Sequence, residues 1–397
     1  MIIEIHGAGF QNKGAEMMLR TTVDELRNRI SDLTLAVDTY YGVYEERSKL
    51  GLWQLFPSRS HVGTPDYSKR LFQQKLFTNL KIEKFINRFV GINIKRYGCV
   101  SLSETGALID IAGFAYSDQW GTQPTKDFAE LTTYYKASKK PIILLPQAFG
   151  PFHKQETKSA FKRIIDNANL IFPRDRISYQ YVKELCSDST KVLKVPDITL
   201  FYPHIPNISV SSSSDYVCII PNGRMLDQGY ESWSEKYEPY LIKIAQEIIQ
   251  LGLKVYVIVH DSSGLDLPIA TSIINKLNSD NVILITESNP ITIKDMIGSS
   301  RMIIGSRYHS LVASFSKAVP AIALGWSHKY EMLFEDFGCE QMIVSHDTKI
   351  DSVLELVHKL TDKDTNLHFR KQIIEKLQTM YCANQQMWDL VIKTLNI

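Results

Sequence analysis

The chain has 397 residues, more than the roughly 250 to 300 at which one hydrophobic core stops growing, so its length favours two domains. Hydrophobic residues make up 44% and charged residues 22%, which excludes a disordered or fibrous chain. Lys and Arg number 45 against 43 Asp and Glu, so the net charge of +2 excludes a polyanion-coating surface and predicts no nucleic-acid partner.

The opening residues, MIIEIHGAG, lack the basic and apolar regions of a secretion signal. No apolar run reaches the roughly 18 residues that a membrane span requires. The five cysteines show no CxxC spacing and lie beside apolar residues, which predicts buried, reduced thiols and neither disulfides nor zinc. We therefore expect a soluble, cytoplasmic protein without a cofactor or a bound metal; composition does not decide its oligomeric state.

Short β-branched apolar runs alternate with segments of helical periodicity, a pattern typical of βαβ units and parallel sheets. A first sheet is predicted from the runs at residues 2–5, 33–37, 107–111, 142–145, 170–172 and 191–195, with a helix at 17–30. A second series comprises residues 216–220, 239–251, 254–259, 268–277, 282–284, 291–297, 301–304 and 321–324. Residues 203–215, rich in Ser and Pro, separate the two series and are predicted to be a linker.

This organisation predicts an α/β protein of two doubly wound, Rossmann-like domains that face a central cleft. The N-terminal α/β domain is predicted at residues 1–205 and the C-terminal α/β domain at 215–366. Residues 367–397 are predicted to be helical and to pack back toward the N-terminal domain.

A basic stretch runs from Lys69 to Arg96, in which Lys and Arg alternate with Leu, Phe and Ile. The periodicity favours an amphipathic pair of surface helices. The alternative is a peripheral contact with anionic lipid at the inner membrane face, or with a lipid-linked acceptor.

The loop GAGFQNKGAE, residues 7–16, connects the first predicted strand to its helix. Its glycines let backbone amides approach a ligand, and the helix N-terminus favours an anion or a polar sugar group. Asn12, Lys13 and Glu16 are its candidate binding residues. The spacing matches neither GxGxxG nor GxxxxGK[ST], and a tight turn that needs small residues is the alternative.

Two further polar segments follow predicted strands of the first domain. In LLPQAFGPF, residues 144–152, Gln147 is expected to project its amide near the cleft, unless the segment is only a strand-ending turn. In FPRDRIS, residues 172–178, Arg174 offers a guanidinium fork to a carboxylate or phosphate. A helix cap by Asp175 or Ser178 is the competing explanation of this second segment.

The segment IIGSRYHS, residues 303–310, ends a buried strand and presents Gly305, Ser306, Arg307 and His309 before an apolar helix. Arg307 is a permanent cation and His309 can exchange a proton near neutral pH, a pairing that suits an anionic donor. Lys329, after the next strand, can reach the same anion. The alternative for His309 is a structural histidine.

His260 and Asp261 follow the run VYVIV and point to the same edge, although these two residues fit a loop-orienting role equally well. No GxSxG or HExxH motif is present, and no His, Cys, Asp or Glu set has metal-ligand spacing.

Taken together, these segments resemble the polysaccharide pyruvyl transferase family, whose fold is similar to that of the two-domain GT-B glycosyltransferases. The matching pieces are GAGFQNKGAE, LLPQAFGPF, RDRIS, VPDITLF around Asp197, and SRYHSLVASFSKAVPAIALGWSHKYEML, in order from residue 1 to about 340. The last piece is the most specific, with its RxH element, apolar helix, Val-Pro strand and downstream Lys.

The resemblance implies transfer of the enolpyruvyl group of phosphoenolpyruvate to a sugar of a cell-surface or capsular polysaccharide precursor, forming a pyruvate ketal. It implies an acceptor side in the N-terminal domain and a donor side in the C-terminal domain. The predicted catalytic residues are His309, Arg307 and Lys329. The predicted donor-binding residues are Arg174, Gly305, Ser306, Arg307, His309 and Lys329. The predicted acceptor-binding residues are Asn12, Lys13, Glu16, Gln147 and Asp175.

The chain departs from the family pattern twice: NKGAE stands where N-x-G-D is common, and IDIAGFAYSD keeps only Gly113 of a glycine-rich element. Both departures lie in the half expected to bind the acceptor, which is a sugar, a nucleotide-sugar or a lipid-linked oligosaccharide. Two other functions remain open, namely a nucleotide-sugar-dependent GT-B glycosyltransferase and a non-catalytic sugar- or phosphate-binding protein.

Overall fold

The computed structural model describes residues 1–7, 9–56, 94–203, 215–226, 231–261, 264–325 and 328–396. The chain divides into two compact units. Unit 1 comprises Met1–Phe10, Met18–Asp197 and Ala383–Ile397, and unit 2 comprises Gln11–Met17 and Ile198–Cys382. Nearly all of the predicted linker and of the predicted basic helix pair lies outside the described residues.

Unit 1 contains a parallel sheet flanked by helices. Its strands are β1 (Ile2–His6), β2 (Thr34–Val37), β3 (Trp53–Leu55), β4 (Cys99–Val100), β5 (Ala107–Asp110), β6 (Ile142–Gln147) and β7 (Leu170–Pro173). Its helices are α1 (Lys13–Arg29), α2 (Tyr44–Lys49), α3 (Gln123–Ala137), α4 (Gln155–Asn167) and α5 (Arg176–Leu185), and the first turn of α1 belongs to unit 2. In the described part of the chain the strand order is β4-β3-β2-β1-β5-β6-β7, so the direction of winding reverses between β1 and β5.

Unit 2 repeats this plan. Its strands are β8 (Tyr216–Ile220), β9 (Lys254–Ile258), β10 (Val282–Ile285), β11 (Ile303–Gly305), β12 (Ala321–Leu324) and β13 (Ile343–Val344). Its helices are α6 (Glu231–Ser234), α7 (Tyr237–Gln250), α8 (Leu267–Leu277), α9 (Pro290–Ser299), α10 (Tyr308–Ser316), α11 (His328–Phe337), α12 (Ile350–Thr361) and α13 (Lys363–Thr394), the last of which continues into unit 1. Within the described ranges the order is β10-β9-β8-β11-β12-β13, and the winding reverses between β8 and β11.

Both sheets are parallel and their central strands are buried on both faces, which explains why those strands read as continuous apolar runs. In unit 1, Ile142 and Leu144 of β6 pack in one cluster with Phe128 and Phe161. In unit 2, β8, β9 and β11 contribute to a cluster that includes Ile244 of α7. Each unit therefore has its own core.

One predicted strand is wrong. Residues 191–195 form only an isolated parallel bridge, in which Val192 pairs with Ile171, after a 3₁₀ turn at Ser189–Lys191. The lysines at 191 and 194 break up the apolar run. The Leu193 and Val195 amides donate to the Ile171 and Pro173 carbonyls of β7 at 3.2 and 3.1 Å, but the segment does not form a strand. The short strands β3, β4 and β13 were not predicted, because two or three residues carry no readable period.

The cysteines are all free. Cys99, Cys218 and Cys339 are buried as predicted, whereas Cys186 is half-buried and Cys382, on α13, is exposed. Among the helices that the structure describes, none combines the length and the apolar content needed to cross a bilayer.

Candidate functional site

The loop after β11 is fixed at the point where the winding of unit 2 reverses. The Asn222 side chain, just after β8, donates from Nδ2 to the Ser306 carbonyl at 3.0 Å, and the Tyr330 hydroxyl donates to the same carbonyl at 2.8 Å. The Ser306 amide donates to the Ile220 carbonyl at 3.1 Å. In doubly wound sheets ligands bind at such reversal points, so this loop has the expected position for a functional site.

Arg307 is the N-terminal cap residue of α10, and it is buried. Its Nε atom donates to Asp266 Oδ2 at 2.9 Å, its Nη2 atom donates to the other oxygen of that carboxylate, and its Nη1 atom lies 3.2 Å from Asp261 Oδ2. Burial lowers the pKa of Arg307, but the hydrogen bonds and charge of Asp266 outweigh it and leave the pKa above its ordinary value. Arg307 is therefore a fixed cation held by two carboxylates.

Asn12 joins the start of α1 to the same cluster. Its Oδ1 atom accepts hydrogen bonds from the amides of Gly14 and Ala15 at 2.9 and 3.3 Å, so that it caps α1. Its Nδ2 atom donates to Asp261 Oδ2 at 3.1 Å. Asp261 thus connects the first turn of α1 with Arg307.

His309 lies in the first turn of α10, half-buried against the first turn of α1. A Cβ atom at position 14 would overlap the His309 ring, so this approach requires glycine. The neighbouring Lys13 is buried and its Nζ atom donates to Glu16 Oε2 at 3.2 Å. The loop that sequence assigned to the first domain therefore packs on His309 inside unit 2.

A small cavity of about 20 Å³ lies beside His309. Its polar lining residues are Lys13, Thr199, His260, Lys294 and His309, and it has room for about one water-sized group. Neither Arg307 nor Lys329 lines it.

His260, at the carboxyl end of β9, is buried in this cavity wall. Burial is the main cause that lowers its pKa from 6.5 to about 3, and the positive charges of Arg307, His309 and Lys13 act in the same direction against the opposing charge of Asp261. His260 is therefore a neutral imidazole at neutral pH.

Lys329 lies near the start of α11. Its ammonium stands 5.8 Å from the Tyr308 ring centroid and 5.3 Å from that of Tyr330. Tyr308 contacts His309 edge to face, with ring centroids 5.3 Å apart. The Tyr308 ring is therefore a neighbour of both the Lys329 ammonium and the His309 imidazole.

Gln147 belongs to a buried network of unit 1 at the reversal between β1 and β5. Its Nε2 atom donates to Asp110 Oδ2 at 2.6 Å, and the other carboxylate oxygen contacts His6 Nδ1 at 2.8 Å and the Tyr116 hydroxyl at 2.9 Å. Gly7, with φ of +79°, allows close approach to Ala112. The amide of Gln147 is fully buried among these groups.

Arg174 and Asp175 also lie in unit 1. Arg174 Nη1 donates to Asp197 Oδ2 at 3.2 Å, and both side chains are buried. Asp175 caps α5, because its carboxylate accepts the Ser178 amide at 2.7 Å and the Ser178 hydroxyl at 2.8 Å. The capping alternative for Asp175 is thus seen in the structure.

Unit 2 therefore brings together one part of the predicted site, namely Asn12, Lys13, Glu16, Gly305, Ser306, Arg307, His309 and Lys329. The sequence interpretation missed Asp266 and Lys294. A lone lysine in the apolar segment PITIKDMIG was the available signal for Lys294, whereas Asp266 gave none. In the described ranges, no group of three or more His, Cys, Asp or Glu residues is placed to hold a metal ion.

Comparisons with known proteins extend this picture. A family model described as polysaccharide pyruvyl transferase matches residues 12–328. The amylovoran biosynthesis protein AmsJ of Erwinia amylovora is 20% identical over 399 residues, covering 91% of this chain and 92% of AmsJ. UDP-GlcNAc 2-epimerase of Neisseria meningitidis, bound to UDP-GlcNAc, has a TM-score of 0.60 at 11% identity over 99% of each chain. A UDP-glucosyltransferase from Polygonum tinctorium has a TM-score of 0.54 at 10% identity over 100% of this chain and 98% of its own.

The structural similarities, together with two parallel-sheet α/β units, define a GT-B-like fold, which confirms the predicted fold class. Because the family model spans most of the sequence, the chain belongs to the polysaccharide pyruvyl transferase family. Its general function is that of a transferase in polysaccharide biosynthesis.

Proposed function

We propose that the protein transfers the enolpyruvyl group of phosphoenolpyruvate to a sugar of a polysaccharide precursor, forming a pyruvate ketal and releasing phosphate. The observation that carries this proposal is the place of His309, in the first turn of α10 directly beyond the fixed cation Arg307. A proton donor at a helix N-terminus suits a substrate that is anionic and needs a proton. Family membership and the similarity to AmsJ support the same chemistry.

In this mechanism the methylene carbon of phosphoenolpyruvate gains a proton and a sugar hydroxyl oxygen bonds to the central carbon. The bond from that carbon to the phosphate oxygen then breaks, phosphate leaves with the electron pair, and a second hydroxyl closes the ketal. The two sugar hydroxyls release two protons. One replaces the proton that the methylene carbon gained on becoming a methyl group, and the other leaves with phosphate. His309 is the general acid, a role worth about 10² to 10⁴ in rate.

Arg307 acts mainly as an anchor in this proposal. Asp266 occupies its Nε–Nη2 fork and Asp261 contacts Nη1, so a donor anion would contact only the second N–H groups of Nη1 and Nη2. Lys329 supplies a further positive charge. Gly305 and Ser306 stay predictions for the donor, because the Ser306 amide and carbonyl already form hydrogen bonds within unit 2. Arg174 stays a prediction for the donor, as do Gln147, Asp175, Asn12 and Glu16 for the acceptor.

The test is incubation with phosphoenolpyruvate and candidate sugar, nucleotide-sugar or lipid-linked acceptors, with phosphate release and acceptor mass as readouts. His309→Ala should lose about 10² to 10⁴ in turnover. The matched control is His358→Ala, because His358 is an exposed histidine of α12 paired with Glu247. Normal turnover in a folded His309→Ala variant would exclude the assigned role.

A nucleotide-sugar-dependent glycosyltransferase is the second candidate, favoured by the similarity to a UDP-glucosyltransferase over the whole chain. The same acceptors incubated with UDP-sugars separate the two functions, since release of UDP without use of phosphoenolpyruvate supports this candidate. Binding of sugar or phosphate with no turnover of any donor would support a binding protein instead. We propose that the reaction takes place in the cytoplasm, and the basic stretch 69–96 stays the candidate for a peripheral lipid contact.

A further inference from the structure

His260 is a buried polar side chain to which the proposed mechanism gives no role. It is 4% exposed and lines the cavity beside His309. Among the described residues, none offers its Nδ1 atom a hydrogen-bond partner. Because a buried ring nitrogen without a partner costs free energy, such an atom indicates a group that completes the site.

Two buried lysines line the same cavity. Lys294 of α9 is 1% exposed, and its Nζ atom donates to the carbonyls of Thr199 at 2.6 Å and Tyr202 at 2.5 Å. Lys13 is 8% exposed and uses one of its three N–H groups on Glu16. These contacts hold two ammonium groups in place at the cavity wall.

The lining therefore favours a negatively charged oxygen. A neutral imidazole donates from Nδ1 when its proton resides there, and ammonium groups only donate. The volume of about 20 Å³ admits one oxygen atom and not a whole phosphate.

We propose that Lys13, Lys294 and His260 form a seat for one oxygen of a phosphate or carboxylate, next to His309. The low pKa of His260 agrees with this seat, since the cations around it disfavour a further proton and an anion would reverse that effect. This seat rests on the proposed function only for the identity of the anion. In the proposed reaction the anion is phosphoenolpyruvate or the phosphate released from it.

Calorimetric titration of the full chain with inorganic phosphate, and separately with phosphoenolpyruvate, tests the seat. Lys294→Met and His260→Leu should each weaken phosphate binding about 10-fold or more, because each removes a donor to a charged oxygen. His260→Asn should stay within about 3-fold of the wild type, since the asparagine amide can take the place of Nδ1–H. Lys254→Met is the matched control, because Lys254 is exposed at the opposite end of β9.

A second measurement needs no substitution in the cavity. In ¹⁵N-histidine spectra of the wild type, phosphate should shift the Nδ1 resonance of His260 and raise its pKa, and the resonance is assigned by its loss in His260→Asn. Phosphate that leaves this resonance unmoved would overturn the seat. Equal phosphate affinity of the wild type and a folded Lys294→Met variant would also overturn the seat, as would the absence of any phosphate binding.

The two proposals fail separately. Phosphate binding that depends on Lys294 and His260, without turnover of phosphoenolpyruvate, keeps the seat and refutes the donor. Turnover of phosphoenolpyruvate with an unchanged KM in Lys294→Met and His260→Leu keeps the function and refutes the seat.

Discussion

Gly14→Ala should misplace His309 without unfolding the protein. Alanine is favoured over glycine inside a helix by about 1 kcal/mol. The new Cβ would overlap the His309 ring, and overpacking of this kind costs about 1 to 3 kcal/mol. The net loss of stability is then about 0 to 2 kcal/mol. Because a displacement of about 1 Å can cost about 10² in rate, we expect turnover to fall much more than stability.

The assay is phosphate release from phosphoenolpyruvate, together with thermal unfolding of the same preparation. Gly298→Ala is the control, because Gly298 lies in α9 and the three atoms nearest its new Cβ would belong to the Lys317 side chain and not to His309. Full turnover in Gly14→Ala, with stability raised by about 1 kcal/mol, would show that His309 is not held against α1.

Three further predictions concern named contacts. In chemical denaturation, Asn12→Asp should destabilise the protein more than Asn12→Ser, because aspartate places a second carboxylate against Asp261. Aspartate and serine both cap helices well, so an equal loss of stability in the two variants would refute the contact. Arg174→Met should cost about 3 to 5 kcal/mol by removing the guanidinium from the buried Asp197 carboxylate, and adding Asp197→Asn should restore part of that loss. Additive losses would contradict a direct pair. The free energy of unfolding of the wild type should fall as the pH drops from 6.5 toward 3, because His260 takes up a proton only in the unfolded state in this range. The expected loss is about 2 kcal/mol at pH 5. Denaturant titrations at each pH measure it, and His260→Asn should lack this part of the pH dependence.

The sheets were largely predictable from the sequence because their central strands are buried on both faces. Strands such as β8 and β12 are continuous apolar runs, and such runs differ clearly from the amphipathic helices between them. The edge strands β4 and β13 have two residues each and cannot show a period. Whether such a short segment pairs at the edge of a sheet depends on the strand beside it, and the local sequence does not show which strand that is.

The candidate site was predictable only where its residues follow strands. Arg307 and His309 stand directly after β11, so their position at the carboxyl edge could be inferred. Asp266 lies 41 residues before Arg307 and Lys294 lies 95 residues after Thr199, so only the folded chain brings these pairs together. Nor does composition show that residues 11–17 pack with the second unit, since a loop can join either neighbour.

The charges around Arg307 decide what attracts an anion. Two carboxylates, Asp261 and Asp266, face the one guanidinium of Arg307, so this cluster does not draw in a phosphate by itself. Attraction then comes from Lys13, Lys294 and Lys329, and Arg307 holds the start of α10. Arg307→Lys should accordingly lower stability by about 1.5 to 3 kcal/mol through loss of the fork to Asp266, and leave the Kd for phosphoenolpyruvate within about 3-fold. A Kd raised about 10-fold or more at unchanged stability would mean that Arg307 grips the donor directly.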